Sequence, residues 1–131
     1  MTITRDLLAA RNRLFAPTME LEYKGDPLPL TGASISMQVR LYPGADGAAL
    51  AEHAAIPFED VAHDTEGGVR VLRLNPEISQ AILVAFPTGL NQPEVGEADA
   101  YAYEIKLTYA DGAADALWIG NFILEPGVNE A

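Results

Sequence analysis

The chain is 131 residues long, 49% apolar and free of cysteine, and its 19 acidic against 8 basic residues leave a formal charge of −11. One domain is expected at this length, and it can bury roughly two-thirds of its unfolded surface without staples. The charge repels a polyanion, which argues against a nucleic-acid partner, and the missing cysteine excludes a disulfide framework, a thiolate metal site and a cysteine nucleophile. The longest apolar run, Ala81 to Phe86, is far short of a membrane span. Arg5 and Asp6 stand where a signal peptide would continue into an apolar run. The expectation is an acidic, soluble, unsecreted protein with no membrane partner.

Residues 1–15 read two ways. Thr4 can cap a helix with Asp6 in its first turn, and Leu7, Leu8, Arg11, Leu14 and Phe15 then form one stripe with a basic edge. Arg5 to Arg11 reads equally as a strand ending at Asn12; propensity leans slightly to helix. This segment is set apart as a terminal element that packs on its own domain or docks on a neighbour, and residues 16–131 form the main domain.

Met19, Leu21 and Tyr23 alternate with Glu20, Glu22 and Lys24, and Gly25-Asp26-Pro27 closes that strand. The clearest strand follows: Ile35, Met37, Val39 and Leu41 point one way, Ser34, Ser36, Gln38 and Arg40 the other. A hairpin joining the two is expected. Ala49 to His53 and Phe58 to Ala62 are short candidate strands, with Pro57 placing the second at an edge. Val69 to Leu74 is a strand with apolar residues on both faces. Asn75-Pro76-Glu77 reads as a helix start, and Ile78, Ile82 and Phe86 as the stripe of a short helix around 76–86. Pro87 to Ala100 is a long loop of the kind that often contacts something. Tyr101, Tyr103, Ile105, Leu107 and Tyr109 share one face of a strand. Ala116 to Glu125 returns apolar on both faces, as in a strand covered on both sides or lying against a neighbour. Six to eight strands with one short helix predict an all-β fold, an antiparallel β-sandwich of Ig-like or jelly-roll-like type, with a barrel as the alternative that would use the same patterns.

Little chemistry is visible. His53 and His63 lie among Glu52, Glu59, Asp60, Asp64 and Glu66. These are suitable atoms for a cation but match no zinc spacing, so a solvated acidic loop is the simpler reading. No phosphate loop and no serine elbow is present. Tyr101, Tyr103, Tyr109, Trp118 and Phe122 collect on the last two strands, as core or as an aromatic platform. Arg40 reads as a contact or ion-pair residue. Hence no catalytic, cofactor-binding or metal-ligating residue is assigned, and no cofactor is expected.

The run GDPLPLTGA at Gly25 to Ala33, the following SISMQVRLYPGADG, then GGVRVLRLNPEISQAI, YEIKLTYADG and LWIGNFILEPGV resemble, as a set, small structural proteins of tailed phages and prophages. The plan is also similar to the N-terminal domain of phage baseplate upper proteins. The resemblance spans roughly residues 18–128. It implies a non-catalytic β-sandwich of the virion tail or baseplate, made in the bacterial host cytoplasm. Its partners would be other tail or baseplate proteins, in a homo-oligomer or a symmetric assembly. Leu30, Thr31, Gly32, Ala33, Gly112 and Gly120 would then be structural. A carbohydrate-binding or adhesin-like module is the alternative, and it expects Trp118 or Tyr101 on the surface.

Overall fold

The computed structural model describes residues 2–88 and 94–129. It is an all-β sandwich of nine strands and one helix: β1 (Ile3–Thr4), β2 (Leu7–Ala10), β3 (Met19–Lys24), β4 (Ser34–Arg40), β5 (Ala51–His53), β6 (Phe58–Ala62), β7 (Val69–Leu74), α1 (Gln80–Val84), β8 (Asp99–Thr108) and β9 (Ala114–Glu125). The large sheet runs β1-β9-β8-β4-β5, with β2 also on β9, and the small sheet runs β3-β7-β6. That order, with three strands facing a longer sheet, is the Ig-type arrangement rather than a jelly roll. No helix among the described residues is long and apolar enough to cross a membrane.

The core lies between the sheets. Alternation puts Ile35, Met37 and Val39 of β4 and Tyr101, Tyr103, Ile105 and Leu107 of β8 against Met19, Leu21, Leu72 and Leu74 of the small sheet, all buried. Phe15, Phe86, Tyr101 and Phe122 close one end with edge-to-face contacts, 5.2 Å between the rings of Phe15 and Phe122 and 5.0 Å between those of Phe86 and Tyr101.

Three expectations change and one open choice is resolved. Of the two readings of the N-terminal segment, the structure has strand. β1 and β2 run parallel to β9, Ile3 opposite Trp118 and Leu7 opposite Phe122, and Leu7, Ala9 and Phe15 join the common core. Tertiary pairing here outweighs a slight helical propensity. The expected hairpin between β3 and β4 does not form, because β3 pairs with β7 and β4 with β5 and β8; residues 25–33 cross between sheets. The helix starts later than the Asn-Pro-Glu signal suggests. Asn75 accepts the Thr18 hydroxyl at 3.0 Å and donates its N–H to Pro57. Ile78 forms an isolated bridge with Phe15. Ser79 therefore caps the helix, its hydroxyl accepting the Ile82 N–H, and Leu83 and Phe86 are buried while Ile82 is exposed. Finally, Asp99 and Ala100 belong to β8, which shortens the predicted loop; its residues 89–93 lie outside the described residues.

The two-sided apolarity of the last strand has two causes. A register shift between Ile105 and Lys106 on β8 puts Ile105 opposite Trp118 but Lys106 opposite Ala116. The extra residue lets Leu117 and Trp118, adjacent in sequence, both be buried. Beyond the bulge, Ile119 and Ile123 turn to the outer face of the sheet.

Candidate interaction surfaces

The sequence-marked aromatics are core. Trp118 is 1% exposed, Tyr101, Tyr103 and Phe122 are buried, and only Tyr109 is half-buried. This removes the exposed Trp118 or Tyr101 that a sugar platform would use.

The histidines are spent on loop geometry. His53 Nδ1 accepts the Glu77 N–H at 3.0 Å. His63 Nδ1 accepts the backbone N–H groups of Thr65 and Glu66 at 3.2 and 3.0 Å, and its Nε2 lies 3.0 Å from Glu22 Oε1. Two donors at Nδ1 leave the proton on Nε2, so the ring ties the turn to β3. Of the acidic group, Glu52 accepts from the Gln38 amide and Glu59 pairs with Arg73 at 2.6 Å. Asp60 takes both Arg70 at 3.3 Å and the Tyr23 hydroxyl at 2.5 Å; Asp64 and Glu66 are exposed. Among the described residues no three His, Asp or Glu side chains are grouped to hold a metal. Arg73 bridges Glu59 and Glu20, the latter at 2.8 Å, in one row across the small sheet. A depression of about 500 Å3 lies beside that row, lined by Glu20, Glu22, His63, Asp64 and Arg73 among others. Exposed pairs of this kind contribute little to stability.

The GDPLPLTGA run is a braced crossover. The Tyr23 hydroxyl accepts the Leu28 N–H at 3.2 Å while it donates to Asp60. Leu30 and Ala33 close the following turns. Gly32 sits at φ +76°, where a Cβ would come to 3.1 Å from the Ala110 Cβ, so both the backbone angle and the approach to the β8–β9 turn favour glycine. A shallow cavity of about 450 Å3 opens there between Pro29, Thr31, Tyr109, Ala110 and Asp111.

Arg40 clamps a loop and makes no ion pair among the described residues. Its guanidinium donates to the carbonyls of Ala45 at 3.0 Å and Gly47 at 2.6 Å and to Gln38 Oε1 at 3.1 Å. Its place on β4 had suggested a contact outward; the acceptors are local carbonyls of the following turn.

Two features escape the sequence. Arg11, 15% exposed, donates to the carbonyls of Leu83, Phe86 and Pro87, to Asp99 Oδ2 at 3.2 Å and to the Tyr101 hydroxyl at 3.1 Å. Asp99, 2% exposed, also accepts from Thr88. The second feature is the outside of the large sheet, where Leu8 is 66% and Ile119 38% exposed. Leu8 lies opposite Ile123, and Ile123 opposite Ala100, giving an apolar row across three strands. Alternation in β9 marks Ile119 and Ile123 as outward, but β2 is too short to show its register from sequence.

Buried hydroxyls predict alkaline sensitivity. Burial pushes the Tyr103 phenol up to about 12, against a lowering by Arg5 and a smaller raising by Asp6. Tyr23, Tyr101 and Tyr109 are raised as well, each chiefly by burial. The unfolded chain releases these protons near pH 10, so between about pH 10 and 12 the unfolded state binds fewer protons and stability falls as pH rises; below that window it is unaffected. The Tyr103 share is roughly 2 kcal/mol. Urea midpoints measured from pH 8 to 12 are expected to drop only above pH 10, and less steeply in Tyr103→Phe. A flat profile through pH 12 contradicts this.

No protein-family model and no curated protein matches the chain. Among solved structures, the chain is similar to AggA, the major subunit of aggregative adherence fimbriae type I from Escherichia coli, at 7% identity. That match covers 93% of this chain and 89% of AggA with a TM-score of 0.30. It is also similar to a family 123 glycoside hydrolase from Clostridium perfringens, at 12% identity over 96% of this chain and 23% of the hydrolase, TM-score 0.33. At these scores neither neighbour bears on what this chain does.

Proposed function

We propose that the chain is a non-catalytic structural subunit of a phage or prophage tail or baseplate, acting by protein–protein assembly. It would be made in the host cytoplasm and carried in the virion. The observation that carries the reading is the apolar row of Leu8 and Ile123 beside Ile119 on the outside of the large sheet. Side chains of that kind on a sheet face mark a contact surface. The motif resemblance supports the same reading, since the residues it rests on brace the crossover and its neighbouring turn. The polar groups described above are compatible with it, because most of them, those around the small-sheet depression included, bind one another or backbone.

Purified protein mixed with its neighbouring tail gene products is expected to co-sediment with them and to decorate or complete particles seen by electron microscopy. A stable monomer that binds no component of the particle overturns the proposal. The alternative, a carbohydrate-binding module, keeps one supporting observation, the half-buried Tyr109 beside Asp111 at the loop-end cavity. A glycan panel that binds the protein and loses binding in Tyr109→Ala would favour it.

A further inference from the structure

We propose that the open edge of β3 is a docking site for an extended, lysine- or arginine-bearing segment of a partner protein, which adds to the small sheet as a fourth strand. The proposal rests on the assembly reading and gives one of its partners a chemistry.

The ladder decides which backbone groups are open. β3 pairs with β7 alone. Gly25, just past the strand, donates its N–H to the Gly68 carbonyl at 3.1 Å, which fixes the phase of the antiparallel pattern. Met19, Leu21 and Tyr23 therefore spend their N–H and C=O groups on β7, while Glu20, Glu22 and Lys24 turn theirs to the other side. No strand or turn among the described residues bonds them there. The other sheet edges are less suited. β5 has three residues, and the N-terminal edge is interrupted at Arg5 and Asp6. β6 follows Pro57 and has its Asp60 carbonyl taken by Arg70. The depression of about 500 Å3 reaches from Ile3 past Glu20 and Glu22 to Val71 and Val61. Since Ile3 belongs to β1, the hollow runs past the open edge of β3, where an added strand would lie. Val61 and Val71 offer an apolar floor to the stems of long side chains.

Charge selects the occupant. The outer face of the small sheet and its adjoining turn carry Glu20, Glu22, Glu59, Asp64 and Glu66 against Lys24 and Arg73. In the neighbouring segments Asp6 and Asp26 offset Arg5 and Arg13, and Asp60 and Arg70 pair with each other. Arg73 is already shared by Glu20 and Glu59. The Glu22 side chain is 61% exposed beside the neutral His63 ring, so its charge is open to a newcomer. An acidic strand, one from another copy of this −11 chain included, is repelled. A purely apolar strand would set its side chains against the Glu20 and Glu22 carboxylates. A segment with Lys or Arg at alternate positions places them beside Glu20 and Glu22 as cross-strand pairs, while its backbone completes the open ladder. The charges that guard this edge against other strands are thus the ones that admit a basic strand.

The test is fluorescence anisotropy of a labelled peptide that alternates lysine with valine or threonine. It is titrated at low salt with the full chain up to about 1 mM, a range suited to a short segment that is ordered on binding. Wild type is expected to bind this peptide and not its glutamate counterpart. The same peptide N-methylated along its backbone keeps its charge and loses its donors, and is expected to bind about tenfold or more weakly. Glu22→Lys is expected to weaken binding by a similar factor. Lys24→Pro separates strand addition from adsorption to an acidic surface, because it deletes both a positive charge and an edge N–H. Adsorption predicts binding as tight as in Lys24→Ala, and strand addition predicts binding about tenfold weaker than in Lys24→Ala. Thermal unfolding checks that each variant is folded, and the N-methylated peptide needs no variant. Absence of binding overturns the proposal, as does undiminished binding of the N-methylated peptide, or Lys24→Pro binding as tightly as Lys24→Ala. A chain that ignores the peptide yet binds tail components overturns this inference and leaves the assembly reading standing. A chain that takes the peptide at this edge and binds no particle component does the reverse.

Discussion

Arg11→Met is expected to lower the unfolding free energy by about 3–5 kcal/mol, the range for removing one partner of a buried charge pair. The guanidinium sits where β2 ends, the helix ends and β8 begins, and five acceptors converge on it. Two of those carbonyls belong to Leu83, in the last turn of α1, and Phe86, just after it; the Leu83 oxygen also accepts the Phe86 N–H at 3.2 Å. Methionine fills much of the volume but donates nothing. Asp99 would then keep a buried charge with its Arg11 partner gone, and the carbonyls of Leu83, Phe86 and Pro87 would each lose the guanidinium donor. Asp99→Asn is expected to cost clearly less. The amide oxygen can still accept from Thr88 and Arg11, and the arginine keeps its three carbonyls and the Tyr101 hydroxyl. Urea denaturation gives both numbers. Amide exchange at Leu83 and Phe86 adds a local readout, since those N–H groups are bonded within the helix turn and are expected to exchange faster in Arg11→Met under native conditions. Equal losses for the two variants would mean that the network acts only through the Arg11–Asp99 pair.

The strand patterns were legible because a one-sided sheet writes its burial into every second residue. β3, β4 and β8 each alternate between buried and more exposed side chains, and their periodicity alone supplied the all-β sandwich. What could not be read was pairing across distance. Nothing in MELEYK and SISMQVR says that the two occupy different sheets, because alternation reports a buried face and not a neighbour. The N-terminal segment stays open between helix and strand in the sequence for a related reason. LLAA is four residues long, too short for a period to show, and the partner that makes it a strand lies more than a hundred residues away. The helix start failed because Asn75 had a competing use. Its side chain binds Thr18 and its N–H binds Pro57, both remote in sequence. The same limit hid the Arg11 network, in which every partner is at least 72 residues distant. The outer face of the large sheet was half visible, since Ile119 and Ile123 were already on the wrong side for the core.

Gly120→Ala is expected to destabilise the fold by about 2–4 kcal/mol, by overpacking together with a lost buried hydrogen bond. The glycine lies opposite Tyr103 on β8 and, by the register of β1 and β2, beside Arg5. A Cβ there would overlap the carbonyl of Arg5. The N-terminal strand is continuous in register across Arg5 and Asp6, yet its backbone turns inward at this point to occupy the space that a side chain would take. Three groups compensate the turn. The Arg5 N–H still reaches the Ile119 carbonyl at 2.9 Å, and the displaced Arg5 carbonyl accepts the Tyr103 hydroxyl at 2.6 Å. The Asp6 carboxylate accepts the Asn121 N–H at 3.2 Å, in place of a backbone acceptor. Alanine must push Arg5 outward, which frees the Tyr103 hydroxyl in a buried site and loosens both halves of the edge strand. The pair is testable by a double-mutant cycle. Tyr103→Phe alone is expected to cost about 1–2 kcal/mol, because Arg5 loses its donor. In the Gly120→Ala background the same change is expected to cost close to nothing, since that bond is already broken. Additive losses would show that Gly120 and the Tyr103–Arg5 bond act independently, and that the inward turn of the edge strand does not depend on the missing side chain.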